Sequence, residues 1–202
     1  MGRTSGQVLS SGEAVDVAVG QRLRALRLAR GLSLEKVAAS TGVSIGFLSQ
    51  VERGLSSPSL RMLALLADTL QTGLAGLFGG ETQGPDDAIV TREQDRPNLW
   101  LWRAGITKQL LTPSGTAGGL SLFRTVLEPR ASTGDDPFSH DGEEAGLVLE
   151  GDLVLTVESR TLRLVAGDSF RFASRRPHHF ANPSATERTI VLWVNAIPAN
   201  GA

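Results

Sequence analysis

The sequence contains no cysteine. That absence removes disulfides, thiolate nucleophiles and zinc-finger ligation together, and it permits a reducing compartment. Long apolar runs are missing too: nothing approaches the roughly 18 consecutive apolar residues of a membrane span, and Arg3 is followed by Gly, Ser and Thr where a secretion signal has its apolar core. The expectation is a soluble, cytoplasmic protein with no membrane partner. Net charge is almost absent, at −1 over 202 residues with 41% hydrophobic content, which excludes a charged tail, a fibre or a disordered coactivator.

The near-neutral total conceals an asymmetry. Residues 20–79 carry seven basic side chains (Arg22, Arg24, Arg27, Arg30, Lys36, Arg53, Arg61) against three acids, a net of +4, whereas residues 80–202 carry twelve against sixteen, a net of −4. A basic segment joined to an acidic one suits a polyanion-binding module attached to a unit that need not touch nucleic acid.

The patterning divides the chain in the same way. Residues 1–16 are rich in Gly and Ser, lack periodicity, and read as a disordered tail. Over 17–79 the apolar residues fall at helical spacing, as in Leu60, Leu63, Leu66, Ala67 and Leu70. The polar stretch 80–97 reads as a linker, with Ile89 and Val90 at the start of a first strand. Over 98–200 come short β-rich runs (LSLFRTVLE, GLVLEGDLVLTVE, RTLRLVAGDSFRF, RTIVLWVNA) separated by Gly, Pro and Asp turns, the mark of a sandwich or barrel.

Local signals place four helices in the basic half. Helix 1 is predicted from Ala18 to Arg30, closed by Gly31. Ser33 caps helix 2, Gly42 makes a turn, and Ser44 caps helix 3, which stops at Gly54. Ser57 and Pro58 then read as the N-cap and first residue of helix 4. On helix 3, Phe47, Leu48 and Val51 should face the core, leaving Ser44, Ile45, Gly46, Ser49, Gln50 and Arg53 outward. Four arginines stand on helix 1 close to where phosphates would pass, and Ser56, Ser59 and the amides before helix 4 are placed to hold a backbone phosphate.

The run GLSLEKVAASTGVSIGFLSQVERGLSSPSLRMLALLADTL resembles the XRE (phage-repressor-like) helix-turn-helix family over some 60 residues. The resemblance implies a five-helix lambda-repressor-like DNA-binding domain whose helix 3 enters the major groove, with Ile45, Gly46, Ser49 and Gln50 facing bases. It also implies an ion pair of Arg27 with Glu52. Many relatives carry Gln at the start of helix 2; Leu34 here forfeits any contact from that position.

All three histidines, His140, His178 and His179, lie in the acidic half. The segments PFSHDGEEAGLVLEG and AGDSFRFASRRPHHFAN resemble the two motifs of the cupin family, which implies an all-β cupin (jelly-roll) barrel. Family spacing puts His140, Glu144 and His178 at ligand positions, with Phe138 where a further histidine is usual, and with Gly167, Asp168, Pro177 and Asn182 completing the second motif. His179 should face the other side of its strand. Glu143 is the rival of Glu144 for the inward position. Two histidines and a carboxylate are compatible with a divalent metal (Fe, Zn, Mn or Ni) and equally with a metal-free ligand pocket.

The whole chain resembles the XRE-cupin regulators, which implies a homodimeric, sequence-specific transcriptional regulator of operator DNA, modulated by a small-molecule effector in the barrel and not an enzyme. A second reading comes from mononuclear non-haem iron cupin enzymes of the epoxidase and oxygenase type, whose two-domain plan and H-x-x-x-E motif are similar. Against it, no Lys or Tyr stands near the motifs in sequence to act with a metal.

Overall fold

The change of pattern near Pro97 is a change of architecture in the computed structural model, which describes residues 11–77, 89–101, 104–113 and 119–197, with the backbone alone at 11–13. Four α-helices come first: α1 (Ser11–Ala29), α2 (Leu34–Thr41), α3 (Ile45–Glu52) and α4 (Leu60–Thr69). The cap signals act where the sequence puts them. Ser33 accepts from Lys36 N, Gly42 closes α2 in the left-handed region, and Ser44 accepts from Phe47 N. Such caps satisfy amides that have no partner inside the helix.

Three expectations need correction. Helix α1 begins at Ser11, so residues 11–16 are helical and not a tail; residues 1–10 lie outside the described residues. The reason is tertiary, because Val15 and Val19 extend the apolar stripe of Leu23 backwards by two turns and pack on the helical core. Helix α4 is capped by Ser59, not Ser57, and starts at Leu60. The Ser57 hydroxyl donates to the Asp16 carboxylate on α1 instead, so it holds two segments together and leaves capping to Ser59. Among the described residues the expected fifth helix is a single 3-10 turn over Leu74–Leu77.

Helices α1 and α3 touch backbone to backbone. A Cβ on Gly20 would lie 2.2 Å from the Val51 carbonyl oxygen, so only glycine permits this approach. Leu23, Leu48, Val51, Leu63 and Leu66 fill the space between the helices.

Among the described residues the second half folds into nine antiparallel strands: β1 (Asn98–Leu101), β2 (Ile106–Leu110), β3 (Leu120–Leu127), β4 (Glu143–Glu150), β5 (Asp152–Val157), β6 (Arg160–Val165), β7 (Ser169–Ala173), β8 (His178–Ala181) and β9 (Thr189–Ala196). They form one sheet of order β1-β2-β3-β9-β4-β7 and a second of order β6-β5-β8. Ile89 and Val90 are exposed and precede the first strand, contrary to expectation, and the linker residues 80–88 lie outside the described residues. Phe123, Leu127, Leu153, Phe180, Val191 and Trp193 fill the space between the sheets. Asn182, buried after β8, directs its amide at the carbonyls of Leu127, Glu128 and Glu187, so this motif residue fixes a loop.

The two halves meet along α4. Arg61 on α4 reaches Asp136 in the loop before β4 at 3.4 Å, an exposed pair worth little by itself. After α4, Gly73 lies against Ile197 beyond β9, where an added Cβ would sit 2.7 Å from the isoleucine side chain.

Candidate functional site

Helix α3 buries Leu48, Val51 and Glu52. Its opposite side leaves Ser44, Ile45, Gly46, Gln50 and Arg53 exposed and Ser49 half-buried. Of the six residues expected to face outward from helical spacing, five are exposed and Ser49 is half-buried, with Ser44 and Arg53 capping the two ends of the helix. Glu52 faces inward because Arg27 meets it there: Nε and Nη2 donate to the two carboxylate oxygens at 2.6 and 2.8 Å, and both side chains are below 10% exposed. The Glu52 hydrogen bond raises the Arg27 pKa against the opposing effect of burial. Arg27 Nη1 also donates to the Leu32 carbonyl, so the pair ties α1, the following turn and α3 into one unit. Two further helix 1 arginines also make contacts within the helical half. Besides Arg27, Arg22 donates to the Gly76 carbonyl and Arg30 to those of Leu26 and Gln71. Near α4, Ser59 is exposed and Ser56 half-buried.

In the barrel, strand alternation sorts the acids and histidines. Glu144 is buried and Glu143 turns outward to a bidentate pair with Arg171. His178 is buried, whereas its neighbour His179 is half-buried on the other face. Phe138, in the position where a histidine is usual, lays its ring 4.4 Å from that of His178.

His140, Glu144 and His178 converge, their ligating atoms all within 4.8 Å of one another. His140 Nδ1 donates to the Asp141 carbonyl at 3.0 Å and Nε2 to Glu144 Oε1 at 2.7 Å, which is the imidazolium form. Burial opposes that charge, but the hydrogen bond and charge of Glu144 outweigh it and raise the His140 pKa. Burial likewise pushes the Glu144 carboxyl up, and the hydrogen bond from His140, helped by the positive charge of His140 and Lys108, brings it below the ordinary value. Glu144 Oε2 accepts from Trp193 Nε1 at 2.9 Å, so this tryptophan does more than fill the core. His178 Nδ1 donates to the Arg176 carbonyl, which leaves Nε2 as a lone pair 3.6 Å from Glu144 Oε1, buried and without a hydrogen-bond partner among the described residues. Burial lowers the His178 pKa, favouring that neutral form.

The three side chains fit a divalent cation. Each histidine has its Nδ1 fixed by a carbonyl, which presents Nε2 inward, and a carboxylate stands between them. The lone pair on His178 Nε2 is the observation that decides the fit, since burying it unpaired is otherwise unfavourable.

Sequence reasoning missed Lys108. It occupies the inward row of β2 between Ile106 and Leu110, is 3% exposed, and holds its ammonium 5.1 Å from the Phe123 ring and 4.9 Å from the Trp193 ring. Burial lowers its pKa to about 8, against the opposing charge of Glu144. The expectation that no lysine stands near the motifs is thus wrong in space, because β2 is distant in sequence but adjacent in the barrel.

His140, Glu144 and Lys108 open into a cavity of about 320 Å³, whereas His178 lies behind its wall, fully buried. Its inner wall includes Lys108, His140, Glu144, Trp193 and Asn195. Its outer wall is α4 and the turn that follows, with Ala64, Ala67, Asp68 and Leu74. The helical half therefore lines one side of the mouth of the barrel.

The chain matches two family profiles, "Helix-turn-helix" over residues 23–77 and "Cupin domain" over residues 123–195. It is 31% identical over 169 residues to the HTH-type transcriptional regulator PuuR of Escherichia coli, a match that covers 84% of this chain and 90% of that one. The chain belongs to the HTH-type transcriptional regulators. SutR of E. coli, another such regulator, is 29% identical over 160 residues, covering 79% of this chain and 84% of that one. A crystal structure of an HTH_3 family transcriptional regulator from Vibrio cholerae superposes with a TM-score of 0.71 at 27% identity, covering 93% of this chain and 99% of that one. The chain is accordingly a transcriptional regulator of the DNA-binding helix-turn-helix class with a cupin domain, and not an enzyme. No helix among the described residues is long and apolar enough to cross a membrane.

Proposed function

We propose that this regulator binds operator DNA through α3 and that a small molecule held in the barrel changes its operator affinity. The reading head begins with α1 at Ser11 and runs to 79, the sensing unit spans 98–200, and 80–97 joins them. The observation that carries the reading is the shared cavity: an effector inside it touches His140 and Glu144 on one side and α4 on the other. An effector that fits one arrangement of α4 against the barrel better than another shifts the population of reading heads, by no more than its difference in affinity for the two.

On the DNA side, Ile45, Gly46, Ser49 and Gln50 face bases, with the Gln50 amide suited to the two edge groups of an adenine. Ser44, Arg53, Ser56 and Ser59 take positions suited to phosphates. The protein acts in the cytoplasm as a homodimer, so that two α3 helices about 34 Å apart read a pseudo-palindrome. Exposed Leu147 and Leu149 on β4 with Leu162 and Val165 on β6 supply an apolar surface in keeping with pairing through the barrels.

On the effector side, His140, Glu144 and His178 form the ligand site and would hold a divalent metal. When bound, such an ion supplies a Lewis-acidic anchor for an effector oxygen or nitrogen. Lys108 and Asn195 then stand free to orient the rest of the ligand.

Gln50→Ala tests the reading head. It is expected to weaken binding to DNA from upstream of the regulator's own gene by about 1–3 kcal/mol while leaving binding to random DNA unchanged, as measured by fluorescence anisotropy at fixed salt. An equal loss on both DNAs would remove Gln50 from base recognition.

A further inference from the structure

Lys108 is hard to account for as a structural residue. Its neighbours in the inward row, Ile106 and Leu110, are both fully buried, so an apolar side chain would fit the same position. An ammonium there loses its hydration, and the faces of Phe123 and Trp193 return only part of it. It has no carboxylate partner within salt-bridge distance among the described residues. Glu144 is the nearest acid to consider, but its Oε1 is engaged by His140 and its Oε2 by Trp193. The ammonium instead lines the cavity, together with Asn195, whose buried Oδ1 also lacks a partner among the described residues.

We infer that Lys108 is the anchor for a carboxylate on the effector, and that Asn195 accepts an N–H or O–H from the same molecule. Charge points the same way. Both oxygens of Glu144 already accept hydrogen bonds, from His140 and Trp193, so Lys108 stands on the inner wall as a cation with no carboxylate paired to it among the described residues. A cation in the His140–Glu144–His178 site would add to that positive charge. An uncharged or cationic effector would leave the ammonium buried and unpaired, whereas a carboxylate pairs with it in a cavity that α4 lines on one side. The cavity limits the ligand to a small metabolite.

The assignment rests on the proposed effector site but is tested apart from it. Acetate, succinate and benzoate, each beside its uncharged amide, are added to the wild-type chain and to Lys108→Met and Lys108→Arg, and the thermal midpoint is followed. The expected result is a saturable rise in midpoint with at least one of the carboxylates and none with its amide. That rise is abolished in Lys108→Met and at least partly retained in Lys108→Arg. Lys108→Met alone should melt no lower than wild type, because it removes an unpaired buried charge; a purely structural lysine would give a lower midpoint. The assignment is overturned if none of the three carboxylates stabilises the wild type, if amides act as well as acids, or if Lys108→Met responds as wild type does. Carboxylate binding through Lys108 with no change in operator affinity would leave the anchor standing and remove the effector reading.

Discussion

Arg27→Ala is expected to remove about 3–5 kcal/mol from the DNA-binding half, because it strands the Glu52 carboxylate in a site that is 6% exposed. Small domains have about 5–15 kcal/mol in total, so the helical part should unfold at markedly lower denaturant than the barrel. The two transitions are separable by signal: all three tryptophans lie at or beyond position 100, and the four α-helices lie before position 70. Far-UV helix signal then reports the loss while tryptophan emission reports an intact barrel. The companion variant Arg27→Met with Glu52→Leu replaces both charges by apolar groups and should recover most of the stability. A single Arg27→Ala variant that loses less than about 1 kcal/mol would show that the pair behaves like an exposed one. The pair acts by holding α3 against α1, so the double variant should keep the wild-type preference among DNA sequences.

The second large effect concerns the barrel. Purified wild-type protein loaded with Zn or Fe(II) and dialysed is expected to retain one metal per chain by elemental analysis, and His178→Ala to retain none. Removing His178 leaves one nitrogen and one carboxylate, too few to hold the ion, whereas His179→Ala should load normally because it lies on the other face of β8. Wild-type protein without metal after loading, or a His178→Ala variant that loads fully, would make the cluster a hydrogen-bonding site for the effector alone.

Much of this arrangement was legible in the sequence, for identifiable reasons. Caps and turns are local, so Ser33, Gly42 and Ser44 announced α2 and α3 without knowledge of the fold. Glu143 and Glu144 remained rivals in the sequence until the strand register turned Glu144 inward, whereas strand alternation alone put His178 and His179 on opposite faces. Tertiary effects were not legible. Nothing local says that Ser57 reaches Asp16 and so yields the cap to Ser59. The helical residues 11–16 look like a tail because their composition is poor and only Val15, packing on the helical core, gives them a reason to be helical. Lys108 illustrates the largest gap. A charged residue on a strand reads as a solvated one, and the single clue was its parity with Ile106 and Leu110 in one short strand. That α4 lines one side of the barrel mouth follows from contacts between units, which no motif encodes.

Coupling between the cavity and the operator is the central claim. It is tested most directly by the affinity of the full chain for its own upstream DNA, measured by anisotropy in the metal-loaded form and again with chelator, beside random DNA of equal length. Occupying a site that α4 lines on one side should shift the specific Kd by about 5-fold or more, the lower end of ordinary allosteric coupling, and leave the random-DNA Kd where it was. Identical specific affinities in the loaded and chelated forms, with loading verified by elemental analysis, would contradict the account.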